Sequence, residues 1–256
     1  MSLLTITHLS HAFGGLRAVV DFNLDLQPGE LAAIIGPNGA GKTTVFNLIT
    51  GVYRPTEGRI TFRGRSLIGS QPHQIIGAGI ARTFQTIRLF RELSVLDNVR
   101  IAWYGRTRYR LPEALARLPR FKSEEALIRR RSMELLQIFG LADLAEAASK
   151  NLPYGQQRRL EIARALATQP ALLLLDEPAA GMNPAEIGQL MDLIRWIRRE
   201  YALTILLIEH QMRVVMGIAE RIKVLDFGQT IAEGTPVEIQ RHPRVIEAYL
   251  GEEEAG

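Results

Sequence analysis

Leu31-Ala32-Ala33-Ile34-Ile35-Gly36-Pro37-Asn38-Gly39-Ala40-Gly41-Lys42-Thr43 decides the fold. Its last eight residues satisfy G-x-x-x-x-G-K-[ST], a phosphate-binding loop pattern. Glycines let such a loop curl until its N–H groups converge on an anion. Lys42 adds positive charge for the outer phosphates, and the Thr43 hydroxyl is a ligand for Mg²⁺. The five residues ahead form a short apolar run, the look of a buried parallel strand. Val45, Phe46, Leu48 and Ile49 behind it suit a helix packed on that strand. Strand, glycine loop and helix together predict a phosphate cradle rather than a glycine-rich turn with a stray lysine.

Further buried strands follow at Leu172-Leu173-Leu174-Leu175 and at Thr204–Ile208. Between them, Asn183-Pro184-Ala185-Glu186 opens a helix, with Asn as cap, Pro at the first helical position and Glu at the third. Ile187, Leu190, Ile194 and Ile197 line its buried side. Strands alternating with helices predict an α/β fold with a mostly parallel sheet and helices on both faces. Ahead of it, apolar and polar residues alternate over Asp21–Leu26, so residues 1–30 read as half-buried β structure. Pro28-Gly29 turns the chain into the loop strand. Gly51 to Gly58 reads as a loop and Arg59–Phe62 as a strand.

From about residue 86 to 152 the pattern turns helical. Ser94-Val95-Leu96-Asp97 fits a helix start, and Ser123-Glu124-Glu125 puts a cap and two acids at another. Ile128, Leu135, Leu136 and Phe139 form a stripe that Gly140 would end. Residues 106–122, rich in Arg, Leu and Pro, fit no element. This stretch reads as a helical insertion in the α/β frame, and Gly251–Gly256 as an acidic frayed tail.

The chain has 256 residues, 46% hydrophobic and 23% charged, which allows one large domain or two small ones with ample core. No apolar run approaches the ~18–20 residues of a membrane helix. No basic-then-apolar pattern opens the chain, so no secretory signal is expected. With no cysteine, disulfides, thiolate catalysis and zinc–cysteine sites are excluded. Formal net charge is +4, and ten Lys/Arg face three Glu between Arg100 and Arg131. That run is either a solvated helical face or a surface held near acidic lipid or an acidic partner.

Asp176-Glu177 directly follows Leu172–Leu175. Open α/β sheets bind ligands at the carboxyl ends of their strands, and the glycine loop leaves its strand at that same edge. Asp176 can therefore complete a Mg²⁺ shell with Thr43. Glu177, one residue on, is placed to polarise a water aimed at the γ-phosphate. His210 closes the third buried strand at this edge and reads either as a structural histidine or as a γ-phosphate contact. Leu152-Pro153-Tyr154-Gly155-Gln156-Gln157 leads into an amphipathic helix. It is either an ordinary loop or, with Gly155 baring amides at the helix start, a second anion site. Gln85 signals nothing alone.

The phosphate loop, Gln85, the Leu-x-x-Gly-Gln segment, Asp176-Glu177-Pro178 and His210 follow one another over nearly the whole chain. That order resembles the nucleotide-binding subunit of ATP-binding cassette (ABC) transporters. The resemblance implies an ATPase with ATP and Mg²⁺ as ligands. It implies a P-loop NTPase (RecA-like) core with a mostly parallel sheet, an N-terminal antiparallel β part and an inserted helical subdomain. Residues 1–256 would form one cassette domain: core 1–85 and 157–235, helical subdomain 86–156, C-terminal helix and tail 236–256. Gly36, Pro37, Asn38, Gly39, Ala40, Gly41, Lys42, Thr43 and Thr44 would hold the phosphates. Phe13, before Gly14-Gly15, would stack on adenine. Thr43, Gln85 and Asp176 would meet the metal, and Lys42, Gln85, Glu177 and His210 would serve hydrolysis. Leu152, Pro153, Tyr154, Gly155 and Gln156 resemble the signature loop, which binds the γ-phosphate held by the other protomer. Ala180-Gly181-Met182-Asn183 occupies the D-loop. Two departures stand out: Pro153 and Tyr154 replace the usual Ser and first Gly of the signature, and Asn183 stands where Asp is typical.

Those departures narrow the resemblance. Tyr154-Gly155-Gln156-Gln157-Arg158-Arg159, with Ala81–Gln85, Arg88–Leu93, Ile208–Met212 and the closing Gly234-Thr235-Pro236 to Gly251, is similar to ATPase subunits of high-affinity branched-chain amino acid importers. That similarity implies a second ATPase subunit as hetero- or homodimer partner, two membrane permeases and, indirectly, a periplasmic binding protein. It implies a peripheral place on the cytoplasmic face of the inner membrane and no nucleic acid. The lipopolysaccharide-extracting ATPase, which usually keeps a Ser-Gly-Gly signature, ranks second. A nucleic-acid-associated cassette ATPase rests only on the basic insertion.

Overall fold

Runs of Leu, Ile and Ala without polar interruption form strands buried on both faces, because such strands have no solvent side to alternate toward. A computed structural model describes residues 2–107 and 109–253. In chain order it holds β1 (Leu4–Phe13), β2 (Leu16–Leu26), β3 (Leu31–Ile35), α1 (Lys42–Ile49), β4 (Glu57–Phe62), β5 (Arg65–Ser66), α2 (Pro72–Ala78) and β6 (Ile80–Arg82). Then come α3 (Val95–Trp103), α4 (Leu111–Leu115), α5 (Pro119–Ile138) and α6 (Tyr154–Ala167). β7 (Leu172–Asp176), α7 (Pro184–Glu200), β8 (Thr204–Ile208), α8 (Met212–Ile218), β9 (Arg221–Asp226), β10 (Gln229–Gly234), α9 (Pro236–Gln240) and α10 (Pro243–Glu253) follow. The chain divides into two compact units, one of Thr83–Pro170 and one of the stretches on either side.

The flanking stretches build a six-stranded sheet in the order β10-β9-β3-β8-β7-β6. Every neighbouring pair is parallel except β10 with β9. Ile34 pairs with Ile208, and Ile208 with Asp176, so β3, β8 and β7 end level. A second, antiparallel sheet has the order β2-β1-β4-β5. Ala32, Ile34, Leu172, Leu174, Leu206 and Ile208 join Leu4, Ile6, Phe22, Leu24 and Ile60 of that sheet and Phe46 and Ile49 of α1 in one apolar core. The alternate residues Leu31, Ala33, Ile35, Leu173, Leu175, Ile205 and Leu207 point the other way and are buried as well. The parallel sheet is thus covered on both faces, and each buried Leu or Ile contributes ~1.5–3 kcal/mol.

Asn183 caps α7 as the sequence predicts, its Oδ1 accepting from the amides of Ala185 and Glu186 at 3.0 Å each. The loop expected over Gly51–Gly58 ends earlier, because β4 begins at Glu57 to pair with Ser10. The tail expected over 251–256 is helical through Glu253, and residues 254–256 lie outside the described residues.

In the Thr83–Pro170 unit, α3 packs on α5 and α6. Ser94 caps α3, its Oγ accepting from Asp97 N at 2.9 Å. Ser123 is not a cap. Pro119, with its φ preset for the first helical position, starts α5 four residues earlier, and Ser123 Oγ instead donates to Arg120 O. Gly140 closes α5 with φ 66°, where a side chain would be strained. Residues 106–122, unassigned from sequence, hold α4 and the start of α5. Part of the basic run is paired within the unit: Arg100 with Asp97 and Glu125, Arg120 with Glu113 and Glu124, Arg129 with Glu146. Arg108 of that run lies outside the described residues. Among the described residues no helix is long and apolar enough to cross a membrane.

Candidate nucleotide site

The glycine loop follows β3 and opens α1, whose N-terminus has no side-chain cap. The opening N–H groups of a helix have no acceptor within it, so this end presents donors to an anion. Two glycines are structurally required. Gly36 has φ 148° and Gly41 φ 100°; a Cβ at Gly36 would stand 2.0 Å from Leu225 O, and one at Gly41 2.3 Å from Ala18 O. Lys42 is buried, its Nζ donating to Gly36 O at 2.6 Å and Pro37 O at 2.7 Å. Its ammonium therefore lies inside the curl of the loop. Thr43 is exposed beside it.

Level strand ends bring the acids to the same rim. Asp176 is the last residue of β7 and is buried. Its Oδ2 accepts from Arg82 Nη2 at 2.7 Å. Glu177 leaves the strand with φ 46°, a left-handed conformation that costs a non-glycine residue ~1–2 kcal/mol, and its amide donates to Ile208 O at 2.8 Å. His210 is not part of the strand, since β8 stops at Ile208. Two residues on, its Nδ1 stands 3.6 Å from Glu177 Oε2.

Sequence position alone assigns Glu209 no role. Fully buried, it accepts from the amides of Ala179 (2.8 Å), His210 (3.1 Å) and Gln211 (3.3 Å). It ties the loop after β7 to the loop after β8, which fixes Glu177 and His210 relative to each other. Burial pushes its carboxyl above the usual range, against the pull of those amides. The signal that marks Asp176, an acid directly after a buried strand, marks Glu209 too.

Phe13 ends β1, 43% exposed, with its ring edge-on to His11 at 4.6 Å and Tyr53 at 5.1 Å. Its hairpin partner β2 passes Gly41 at Ala18, which puts Phe13 and His11 in the hairpin that flanks the loop.

Gln85 and the 152–156 segment belong to the other unit. Gln85 is exposed, and its carbonyl accepts from Arg158 Nη2 at 2.7 Å. Pro153 caps α6 without a side-chain bond, and its carbonyl accepts from both Gln156 and Gln157 at 3.0 Å. Only the amides of Tyr154 and Gly155 precede the helix's own bonding. Arg158, fully buried, also reaches Phe84 O (2.6 Å), Glu161 (2.7 Å) and the Tyr154 hydroxyl (3.2 Å).

The donor set fits a nucleoside triphosphate with its metal: uncapped helix amides and an ammonium for phosphate, the hard oxygens of Thr43 and Asp176 for Mg²⁺. Residues 19–180 match the family described as ABC transporter, and residues 229–255 match the family described as branched-chain amino acid ATP-binding cassette transporter. The chain is 48% identical to the high-affinity branched-chain amino acid transport ATP-binding protein LivG of Escherichia coli (strain K12) over 98% of each chain. It superposes on the ADP conformation of MJ1267, an ATP-binding cassette of an ABC transporter, with a TM-score of 0.85 at 30% identity, covering 98% of this chain and 99% of that one. The dimeric post-hydrolysis state of the cassette MJ0796, bound to ADP and Pi, gives 0.76 at 26% identity over 91% and 98%. With a glycine loop, a strand-end acid pair and a histidine gathered on one rim and a relative at this identity along its full length, the chain belongs to the ABC transporter family as one of its ATP-binding cassettes.

Proposed function

We propose that this chain is the ATP-hydrolysing subunit of an importer of branched-chain amino acids. The observation that carries the reading is the gathering of Lys42, Asp176, Glu177 and His210 at one rim of the parallel sheet. The importer class is supported by the match of residues 229–255 and by the likeness to LivG.

In this reading the first-turn amides of α1 and the Lys42 ammonium receive the phosphates, and Lys42 exchanges its loop carbonyls for phosphate oxygens. Phe13 offers an aromatic face to adenine. Thr43 and Asp176 would hold Mg²⁺, which when bound neutralises charge on the outer phosphates. Glu177 orients the attacking water and takes its proton, while His210 steadies the Glu177 carboxylate. Gln85 would be a further holder of that Mg²⁺, its side-chain amide oxygen supplying a hard donor. Leu152, Pro153, Tyr154, Gly155 and Gln156 serve the nucleotide of a second ATPase subunit through the amides at the start of α6. The whole chain acts as one cassette, with the Thr83–Pro170 unit relaying movement to two permeases and the C-terminal helix and tail over 236–256. A periplasmic binding protein delivers the amino acid, and the subunit works at the cytoplasmic face of the inner membrane.

The test is reconstitution in proteoliposomes of this chain with the two permeases and the second ATPase subunit of a branched-chain amino acid importer. ATP hydrolysis should rise when the binding protein carries leucine, isoleucine or valine. Hydrolysis indifferent to those amino acids, or stimulated instead by DNA or RNA, would overturn the reading.

A further inference from the structure

We propose that Arg82 is a positioning residue that sets the spacing between the two halves of the metal site, Thr43 on α1 and Asp176 at the end of β7. The inference rests on the reading of Asp176 as a metal ligand.

Arg82 is the last residue of the edge strand β6, in register with Leu174 of β7. Its guanidinium forks. Nη2 donates to Asp176 Oδ2 at 2.7 Å, while Nη1 donates to Asn47 Oδ1 at 2.7 Å and to Thr50 Oγ1 at 3.2 Å. The group also lies 5.4 Å from the centre of the Phe46 ring. Thr43 and Asn47 are spaced i, i+4 and share one face of α1, and Thr50, the residue that ends the helix, follows at i+7. One planar cation therefore grips both the helix face that carries Thr43 and the Asp176 carboxylate on another element. The side chains of Arg82 and Asp176 are only 5% and 2% exposed. A buried ion pair adds little to stability over an apolar pair of the same shape, so stability alone does not account for an arginine in an otherwise apolar strand. Its geometry does: partners that orient metal ligands typically change metal affinity 10–100-fold when removed.

Charge and geometry make separable predictions. Removing the cation would strengthen the pull of Asp176 on a metal, whereas losing the fork would misplace the carboxylate. Arg82→Lys keeps the charge and loses the fork, because an ammonium cannot span Asp176 and Asn47 in a fixed plane. The measurement is ATP affinity with Mg²⁺ and in EDTA, with Mn²⁺ binding read by electron paramagnetic resonance. In Arg82→Lys, metal-free ATP affinity should stay within about twofold of wild type, while the Mg²⁺ enhancement and the Mn²⁺ affinity fall about tenfold or more. Asn47→Ala, which cuts only the helix end of the fork, should show a smaller loss of the same kind and keeps the test open should Arg82→Lys fail to fold. Both variants folded, with metal dependence within about twofold of wild type, would overturn the proposal. Asp176→Asn is the control. If it too leaves metal dependence unchanged, the ligand reading of Asp176 fails, and the proposal fails with it for that distinguishable reason.

Discussion

His210 Nδ1 stands 3.6 Å from Glu177 Oε2, though the two residues follow different strands. The Glu177 amide is held by Ile208 O, and Glu209 gathers the amides of Ala179, His210 and Gln211. The pair is thus set by backbone, not by its own weak contact. A carboxylate fixed beside an imidazole at the rim that carries the phosphate loop is equipped to align a water and accept its proton.

Glu177→Gln preserves the shape of that site and removes the proposed base. Turnover should fall at least about 100-fold, the usual scale of a general base, with ATP binding retained. Phosphate release and nucleotide binding measured on one preparation check it, and turnover equal to wild type would take Glu177 out of the chemistry. His210→Ala, which leaves the carboxylate in place but unsteadied, should lower turnover less.

Lys42→Ala should weaken ATP binding about 10–100-fold, the loss of a charge-assisted hydrogen bond worth ~1.5–3 kcal/mol. Equilibrium binding of a fluorescent ATP analogue reads this directly. Unchanged affinity would mean that the ammonium stays with Gly36 O and Pro37 O and never meets phosphate.

The rim was legible in the sequence because its signals are local: Gly36 to Thr43 is a contiguous pattern, and Asp176-Glu177 ends an apolar run. What escaped needed distance. Arg82 and Asp176 are 94 positions apart, and no periodicity announces that a strand-end arginine will turn onto a helix face. Ser123 has the local look of a cap, yet Pro119 starts its helix about one turn earlier, and both signals lie in one polar stretch. The sequence carries β8 on to His210, although the strand ends at Ile208, because Glu209 looks like strand alternation while its side chain collects backbone amides.

Arg158→Met should destabilise the Thr83–Pro170 unit by about 3–5 kcal/mol, the range for breaking a buried pair and stranding its partner, here Glu161. Arg158 also holds the carbonyls of Phe84 and Gln85. Hydrogen exchange should therefore quicken along 84–88 in the variant even under conditions where the unit stays folded. A urea midpoint matching wild type, with protection there intact, would show that Arg158 anchors nothing.

Glu209 makes a prediction in pH. Burial raises its folded pKa above the ordinary 4.5, so between those two values the native chain binds the proton that the unfolded chain has lost. Where the native state binds more protons, stability falls as pH rises. The contribution is fully present below about 4.5 and is lost as pH climbs through the folded value. Glu209→Gln keeps an acceptor for Ala179 N and cannot ionise. Whatever offset the amide brings is common to all pH values, so the slope is the test. The stability of the variant minus that of wild type should grow from pH 4.5 upward and level off once Glu209 is charged. Thermal unfolding of both proteins along one pH series measures it. A difference that stays flat, or that moves toward wild type with rising pH, would mean that the three amides outweigh burial and hold Glu209 ionised throughout.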